Sequence, residues 1–548
     1  MYVAPLTLTA LLMGAALLYP IGTEARKVET RFMSLARLGL DDIASECAAF
    51  RKAVNGSARI STSDVELQVS TEPRSRIRIG FNSSYTAVRH ALGRYPVSVY
   101  ANLAQQVPIE ALRFPGGTVA NYFDWTQMRL EPEWQGTKTK SSIVKLVKAQ
   151  HRMNRGKPVR ADFASFLAVT ADLGAIPIVA LNVYAGNGNA AAALFDKGWG
   201  ASVSAESIWW ELGNELDHQE YLRSRAGGIR WSTDLYTTRA ADAVRRIRSR
   251  YPAARIGVIG GDLVSEKMIF SIPQLSTREE EVRQWRERVR NVPGTDGVVF
   301  HPYIRVFGAE KWVRAIGNRE VATQCLDFLN YIWINNRAEQ FPDIYENVVA
   351  EFYPGREVWL TEAGILSDPA AKSEKIANLP ASIRELLITN YALSWLSSGE
   401  PFRVLLFHVL GFGRGDVVPF HPDGRPNAYG RAMSLVRTMT SDRARVFDVQ
   451  ITHTDRSRIM PGKWGYKDLV ALAVSDKDVS VLDVHVINLS YTTAYRVSLV
   501  NGETHVNASD EHWPDESEQL RIEQDGRTNR SLDSVTVPPM AYRKFGVN

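Results

Sequence analysis

A chain of 548 residues is long enough for a large core and for two or perhaps three domains. Hydrophobic content of 45% and charged content of 23% are those of a soluble globular protein, and 65 basic against 60 acidic residues leave a net charge of only +5. That thin excess demands no nucleic acid, although it is compatible with an anionic substrate. The two cysteines, Cys47 and Cys325, exclude a disulfide scaffold and match no zinc-ligand spacing; one bridge in an exported chain and two buried thiols both remain open.

The N-terminus is apolar almost without break from Val3 to Ile21. Residues 1–25 read as a signal peptide, with Thr23-Glu24-Ala25 as a small-residue cleavage site, and the expected location is secreted or extracytoplasmic. The run is also nearly long enough to span a bilayer, with Arg26, Lys27 and Arg31 after it, so an uncleaved membrane anchor is the alternative. Asn55, Asn488, Asn507 and Asn529 each open an acceptor triplet for N-glycosylation, relevant only on a eukaryotic secretory route. Within 26–75, Arg31–Lys52 has helical spacing and Val65–Val69 alternates like a strand of an accessory sheet.

From residue 76 to about 440 short apolar runs alternate with amphipathic stretches, the rhythm of a parallel sheet covered by helices. Eight strands are predicted: Arg76–Asn82, Glu110–Phe114, Ile176–Val183, Ile208–Glu215, Arg255–Gly260, Gly297–Tyr303, Val358–Glu362 and Phe402–Leu410. Helices are predicted over Arg160–Leu173, Thr233–Arg250, Thr277–Arg290, Cys325–Asn336, Ile383–Ser397 and Ala428–Met439. Eight such units suit a closed (β/α)8 barrel of the α/β class. An open doubly wound sheet fits less well, because no Gly-x-Gly-x-x-Gly follows the first strand. Residues 441–548 change texture to short alternating runs between turns, which predicts an appended β-sandwich. No internal repeat or low-complexity tract stands out.

Polar residues gather where the strands end, which is where barrel enzymes keep their sites. Arg113 comes near the end of the second strand, before the turn Pro115-Gly116-Gly117. Asn214 and Glu215 end the fourth strand, after Trp209-Trp210-Glu211-Leu212. His301 and Tyr303 end the sixth, on one face by the period of two. Glu362 ends the seventh, with Leu360 and Val358 expected beneath it on the inward face. Two glutamates among an Arg, an Asn, a His and a Tyr point to glycoside cleavage: one carboxyl donates a proton to the leaving oxygen while the other, ionised, attacks the anomeric carbon. Arg113 and Tyr303 would keep the attacking carboxylate charged. Glu211, earlier on its strand, reads as structural and paired with an arginine. Asn121, Asp124, Trp125, Asn182, Tyr184 and Asn187 follow the second and third strands, where they could meet sugar hydroxyls or a ring face. Trp209 and Trp359 read as packing.

These residues carry a family resemblance. Trp210-Glu211-Leu212-Gly213-Asn214-Glu215, with Arg113-Phe114-Pro115-Gly116-Gly117, His301-Pro302-Tyr303 and Thr361-Glu362, resembles the clan A retaining glycoside hydrolases. Within that clan it is similar to the α-L-arabinofuranosidase, β-xylosidase and heparanase/β-glucuronidase families. The resemblance covers Arg76 to the C-terminus. It implies a (β/α)8 barrel with a β-sandwich, Glu215 as acid/base, Glu362 as nucleophile, Asn214 on the sugar 2-hydroxyl, and Arg113, His301 and Tyr303 around the nucleophile. The eighth strand departs from the pattern, reading Leu405-Leu406-Phe407-His408 where clan members often carry a Trp, so that role is not carried over.

The expected activity is therefore a double displacement on a polysaccharide or glycoconjugate, with no metal or organic cofactor implied. A uronic-acid glycan is one substrate class; an arabinofuranoside or a xyloside is the other. A catalytically inactive carbohydrate-binding barrel is the reading from another class. A metal-dependent hydrolase would need clustered His and Asp ligands, and the 10 histidines form no such motif. Oligomeric state is not set by the sequence.

Overall fold

In a computed structural model, the chain is described over residues 40–83, 96–131, 159–185, 205–222, 224–261, 276–367, 379–411, 418–440, 444–453, 467–476, 482–499, 508–509 and 534–547, and at a few positions between 144 and 152. The apolar N-terminal run, Asn187, Asn507 and Asn529 lie outside the described residues, and no helix among those described is long and apolar enough to cross a membrane.

Eight parallel strands close on themselves: β1 (Arg78–Asn82), β2 (Ala111–Phe114), β3 (Ile176–Leu181), β4 (Trp209–Leu212), β5 (Arg255–Ile259), β6 (Gly297–Phe300), β7 (Glu357–Ser367) and β8 (Phe402–Phe407). Each pairs with its sequence neighbours, and β8 pairs back onto β1 with Leu405 opposite Ile79, which seals the ring. Covering helices include Phe163–Asp172, Thr233–Arg250, Ser276–Val289, Leu326–Phe352, Ala381–Leu396 and Ala428–Thr438. Three start on side-chain caps. Asp162 accepts from the Ser165 N–H, Ser232 from Leu235 and Asn427 from Gly430, which satisfies donors that the first turn leaves free. The helix predicted to stop at Asn336 runs on through Pro342 to Phe352, because its apolar faces stay buried past the proline.

The barrel interior is filled low down by Ala111, Ile178, Trp209, Val299, Trp359, Val404 and Leu406. Trp209 and Trp359 stack with centroids 4.7 Å apart, so both pack the floor as expected. Room for the Trp359 indole comes from two glycines: a Cβ on Gly257 would meet its ring at 2.6 Å and one on Gly297 at 2.5 Å.

The second unit is one eight-stranded, mostly antiparallel sheet, ordered Ala508–Ser509, Ala541–Val547, Leu482–Asn488, Leu469–Asp476, Ala444–His453, Ser61–Arg74, Thr493–Leu499, Val535–Val537. It nearly closes, since Asn488 donates across to the carbonyls of Val537 and Pro538. That buried role removes Asn488 as a glycosylation site. Its inner face buries Val65, Leu67, Leu469, Val484, Val486 and Val497. The strand Ser61–Arg74 precedes the barrel in sequence but sits inside this sheet, antiparallel to Ala444–His453 and parallel to Thr493–Leu499. The helix Leu40–Val54 is tied to the barrel by a Cys47–Cys325 disulfide, with Cα atoms 5.6 Å apart, and packs Phe50 against Phe328, Tyr331 and Tyr491.

Candidate active site

Strand alternation carries the interior upward from its aromatic floor. Two residues above Ala111 comes Arg113, above Trp209 comes Glu211, and above Trp359 comes Thr361, all fully buried. A guanidinium has five N–H donors, and each of Arg113's finds an acceptor. Nε donates to Glu211 Oε2 at 2.7 Å, and Nη2 to Glu211 Oε1 and to Asn214 Oδ1 (2.8 Å). Nη1 donates to Asn82 Oδ1 at 3.0 Å and to Glu362 Oε1 at 2.7 Å. Glu211 is thus the structural partner expected for an arginine, and the two opposite charges make burial of both tolerable.

Glu362 does not reach the site in the way alternation predicts. Val358 and Leu360 pack in the outer core, whereas Trp359 and Thr361 face inward, so strict alternation would turn Glu362 away. The pairing of β7 with β8 slips between Leu360 and Ala363, and a bulge of this kind re-aims a side chain. Once inside, its carboxylate is clamped from both ends, by Arg113 on Oε1 and by the Tyr303 hydroxyl donating to Oε2 at 2.7 Å. Gly117 closes over it so tightly that a Cβ there would lie 2.1 Å from Oε1. Burial alone would raise the Glu362 pKa, but His301, Arg113 and, more weakly, His408 outweigh burial and the repulsion of Glu215, and hold it below the usual carboxylate value.

β4 ends at Leu212, three residues short of Glu215. The chain then turns through Gly213 (φ +91°) to Glu215 itself at φ +49°, a left-handed conformation rare outside glycine, asparagine and aspartate. The turn is braced: Asn121 donates to the Asn214 carbonyl (2.7 Å) and accepts from its N–H (3.0 Å). The Tyr236 hydroxyl donates to the Leu212 carbonyl (3.0 Å). Asn121 therefore holds Asn214 in place. Asn214 is buried with its Nδ2 donor unpartnered, which leaves an N–H for a bound group.

His301 joins the two glutamates. Its Nδ1 lies 3.2 Å from Glu215 Oε1 and 4.0 Å from Glu362 Oε2, while Nε2 is 3.1 Å from Thr361 Oγ1. Burial disfavours its charge, but Glu362 and the bond to Glu215 win and raise its pKa to about 9. β6 stops at Phe300, and Tyr303 opens a separate short strand, Tyr303–Val306, paired with the outer end of β7. The period-of-two argument for His301 and Tyr303 therefore fails, although both side chains do reach the site. Burial and the nearby carboxylates keep the Tyr303 phenol protonated, its pKa well above the usual value.

Glu215, His301 and Glu362 each offer one atom, all within 4.8 Å of one another, which is also a donor set for a metal ion. Both oxygens of Glu362 are already bound by Arg113 and Tyr303, and a divalent cation would sit against a buried guanidinium. The arrangement suits two carboxylates bridged by an imidazole better than a metal centre.

Four residues predicted to meet the sugar also hold loop structure. Asp124 Oδ1 accepts from the N–H groups of Thr126 (2.8 Å) and Gln127 (3.1 Å), a local turn. Trp125 is buried against Phe114, Phe123 and Phe163. Asn182 accepts from the Ala185 N–H and donates to the Phe123 carbonyl. Tyr184 is buried with its hydroxyl on Ser224 at 2.6 Å. The site also includes three side chains the sequence did not single out. Asn82 donates to the Thr361 carbonyl at 2.9 Å, His218 Nδ1 lies 3.8 Å from Glu215 Oε2, and His408 Nδ1 is 2.6 Å from the Tyr303 hydroxyl. Only His408 left a trace, as the departure at the end of the eighth strand.

No family model matches the chain, and no curated protein matches it. Solved structures do. An α-L-arabinofuranosidase from Thermotoga maritima aligns at a TM-score of 0.57 and 12% identity, over 88% of this chain and 100% of its own. A family 51 α-L-arabinofuranosidase from Bifidobacterium longum aligns at 0.58 and 12%, over 89% and 100%. A family 44 xyloglucanase from Paenibacillus polymyxa aligns at 0.52 and 12%, over 88% and 99%. At such identity the likeness is one of fold: a (β/α)8 barrel with a second, sheet-built unit.

Proposed function

We propose that the protein is a retaining glycoside hydrolase, with Glu362 as nucleophile and Glu215 as acid/base. One observation carries the reading: a carboxylate held ionised by an arginine and a tyrosine has a second carboxylate oxygen within 4.8 Å. That spacing supports direct attack, since enzymes that place a water between their two carboxyls separate them by roughly 6.5–9.5 Å. Glu362 attacks the anomeric carbon while Glu215 protonates the departing oxygen. Glu215 then takes a proton from water, whose oxygen displaces Glu362 from that carbon. Asn214 binds the sugar 2-hydroxyl in this reading, which its buried, unpartnered Nδ2 donor supports. The names of the structural neighbours support a carbohydrate substrate.

For the sugar, the sequence resemblance leaves a uronic-acid glycan and an arabinofuranoside or xyloside both open; for the first, His218 and His408 beside the two carboxylates are groups to meet an added negative charge. The neighbours' names favour an arabinofuranoside or another neutral glycoside. A panel of aryl glucuronides, arabinofuranosides, xylosides and glucosides separates the two. With the substrate that turns over, proton NMR should show the first-formed product keeping the anomeric configuration, and a fluorosugar should label Glu362. Inversion, or a label elsewhere, rejects the mechanism; binding without turnover of any member leaves the inactive carbohydrate-binding barrel. The Cys47–Cys325 disulfide supports an oxidising compartment, in keeping with export.

A further inference from the structure

His408 stands immediately after β8 at the rim of the site, with its side chain 40% exposed. Its Nδ1 is 2.6 Å from the Tyr303 oxygen, and the two rings meet edge to face at 5.7 Å. A phenol has one proton. The ionised Glu362 can only accept, so that proton points to Oε2, 2.7 Å away. The short contact to His408 must then run the other way, with Nδ1–H donating to the phenolic oxygen, because two facing lone pairs at 2.6 Å would repel. The order of donation is therefore fixed along three residues: His408 to Tyr303 to Glu362. Donors linked in this way polarise one another and strengthen the final bond.

We propose that His408 is a positioning residue that acts on Glu362 through Tyr303, by supplying the Nδ1–H that orients the phenol toward the carboxylate. Other groups face Glu362: Arg113 on Oε1, His301 at 4.0 Å from Oε2, His408 Nδ1 itself at 3.8 Å from Oε2, and Glu215 across the site; the Tyr303→Phe background below separates that direct contact from the route through the phenol. Tyr303 donates directly to Oε2 at 2.7 Å, so the geometry at that oxygen depends on which way the phenol points. The role rests on the glycosidase reading only in its consequence for turnover; the tautomer of His408 does not depend on it.

Two measurements test the relay. In full-length protein labelled with 15N-histidine, the ring signals lost in His408→Ala should report a protonated Nδ1; a bare Nδ1 overturns the proposal even if no glycoside is hydrolysed. With an aryl glycoside that the wild type hydrolyses, His408→Ala should lower kcat/KM about 10-fold, the scale of one hydrogen bond. It should also move the acidic limb of the profile upward, as Glu362 becomes easier to protonate. His408→Asn, whose amide N–H can occupy the Nδ1 position, should recover most of the loss. In a Tyr303→Phe background the alanine substitution should cost no more than about two-fold. An undiminished loss in that background, or an asparagine variant no better than alanine, would make His408 an independent contact and overturn the relay. A wild type inert on every glycoside, with Nδ1 protonated, would reject the proposed function and leave the relay standing.

Discussion

Trp209 and Glu211 are two residues apart on one strand, as are Trp359 and Thr361 on another, yet the lower members stack in a dry layer and the upper ones enter a charged network. The floor is stabilised by area and shape. Two indoles lie face to face, and Gly257 and Gly297 leave the space that one of them fills. Its one side-chain hydrogen bond among the described residues is at the edge, where Trp359 Nε1 donates to Glu357 Oε2 at 3.3 Å. Above it, every donor of Arg113 is matched, and removing one acceptor leaves a buried charge short of a partner. The floor can be large and approximate; the rim must be matched atom by atom.

If the two layers are separable, substitutions should split cleanly between activity and stability. Glu362→Gln should cost the most, lowering kcat by at least about 10^4-fold, as loss of a nucleophile does. Its unfolding midpoint in urea should fall less than that of the floor variant below, because the amide oxygen still accepts from Arg113 and Glu211 still balances that charge, while the support that Glu362 gives to charged His301 is lost. Trp359→Ala comes next. It should lose roughly 3–5 kcal/mol in the same urea titration through the cavity it leaves, while the folded fraction keeps wild-type kcat at low temperature. A Trp359→Ala enzyme as inactive as Glu362→Gln would show that the floor also sets the chemistry.

The sequence made the barrel and its polar rim legible, because apolar strands and their endings follow a simple period. All eight strands fall where that period puts them, with only their ends moving. Placement of a residue was more readable than its orientation. Glu362 was picked out, but the bulge that turns it inward depends on β8, more than thirty residues further on. Glu215 was read as a strand end, although it lies beyond β4 in a left-handed turn. Asp124 shows its local role only in the structure, where its side chain accepts from the N–H groups of Thr126 and Gln127. The Cys47–Cys325 pairing could not be read locally, since 278 residues separate the two. His408 could be noticed only as a departure, because its meaning depends on Tyr303 from a different strand.

The smallest expected effect is a pH dependence, and it too should belong to the upper layer alone. His301 is neutral-to-charged near pH 6.5 in an unfolded chain and near 9 when folded. A raised pKa contributes stability that is fully present below about 6.5 and lost as pH rises through about 9, at most about 3 kcal/mol. Glu362 has the opposite sign: its depressed pKa contributes above the ordinary glutamate range and is lost as pH falls. The acid side is shared with His485, which burial in the second sheet holds down to about 3, so the window between 6.5 and 9 is the cleaner test. Urea denaturation across that window should show wild-type stability declining. The decline should vanish in His301→Gln and persist in Trp359→Phe, which perturbs a layer that contains no histidine. A His301→Gln profile parallel to the wild type would place the alkaline loss elsewhere, and the electrostatic contrast between floor and rim would then fail.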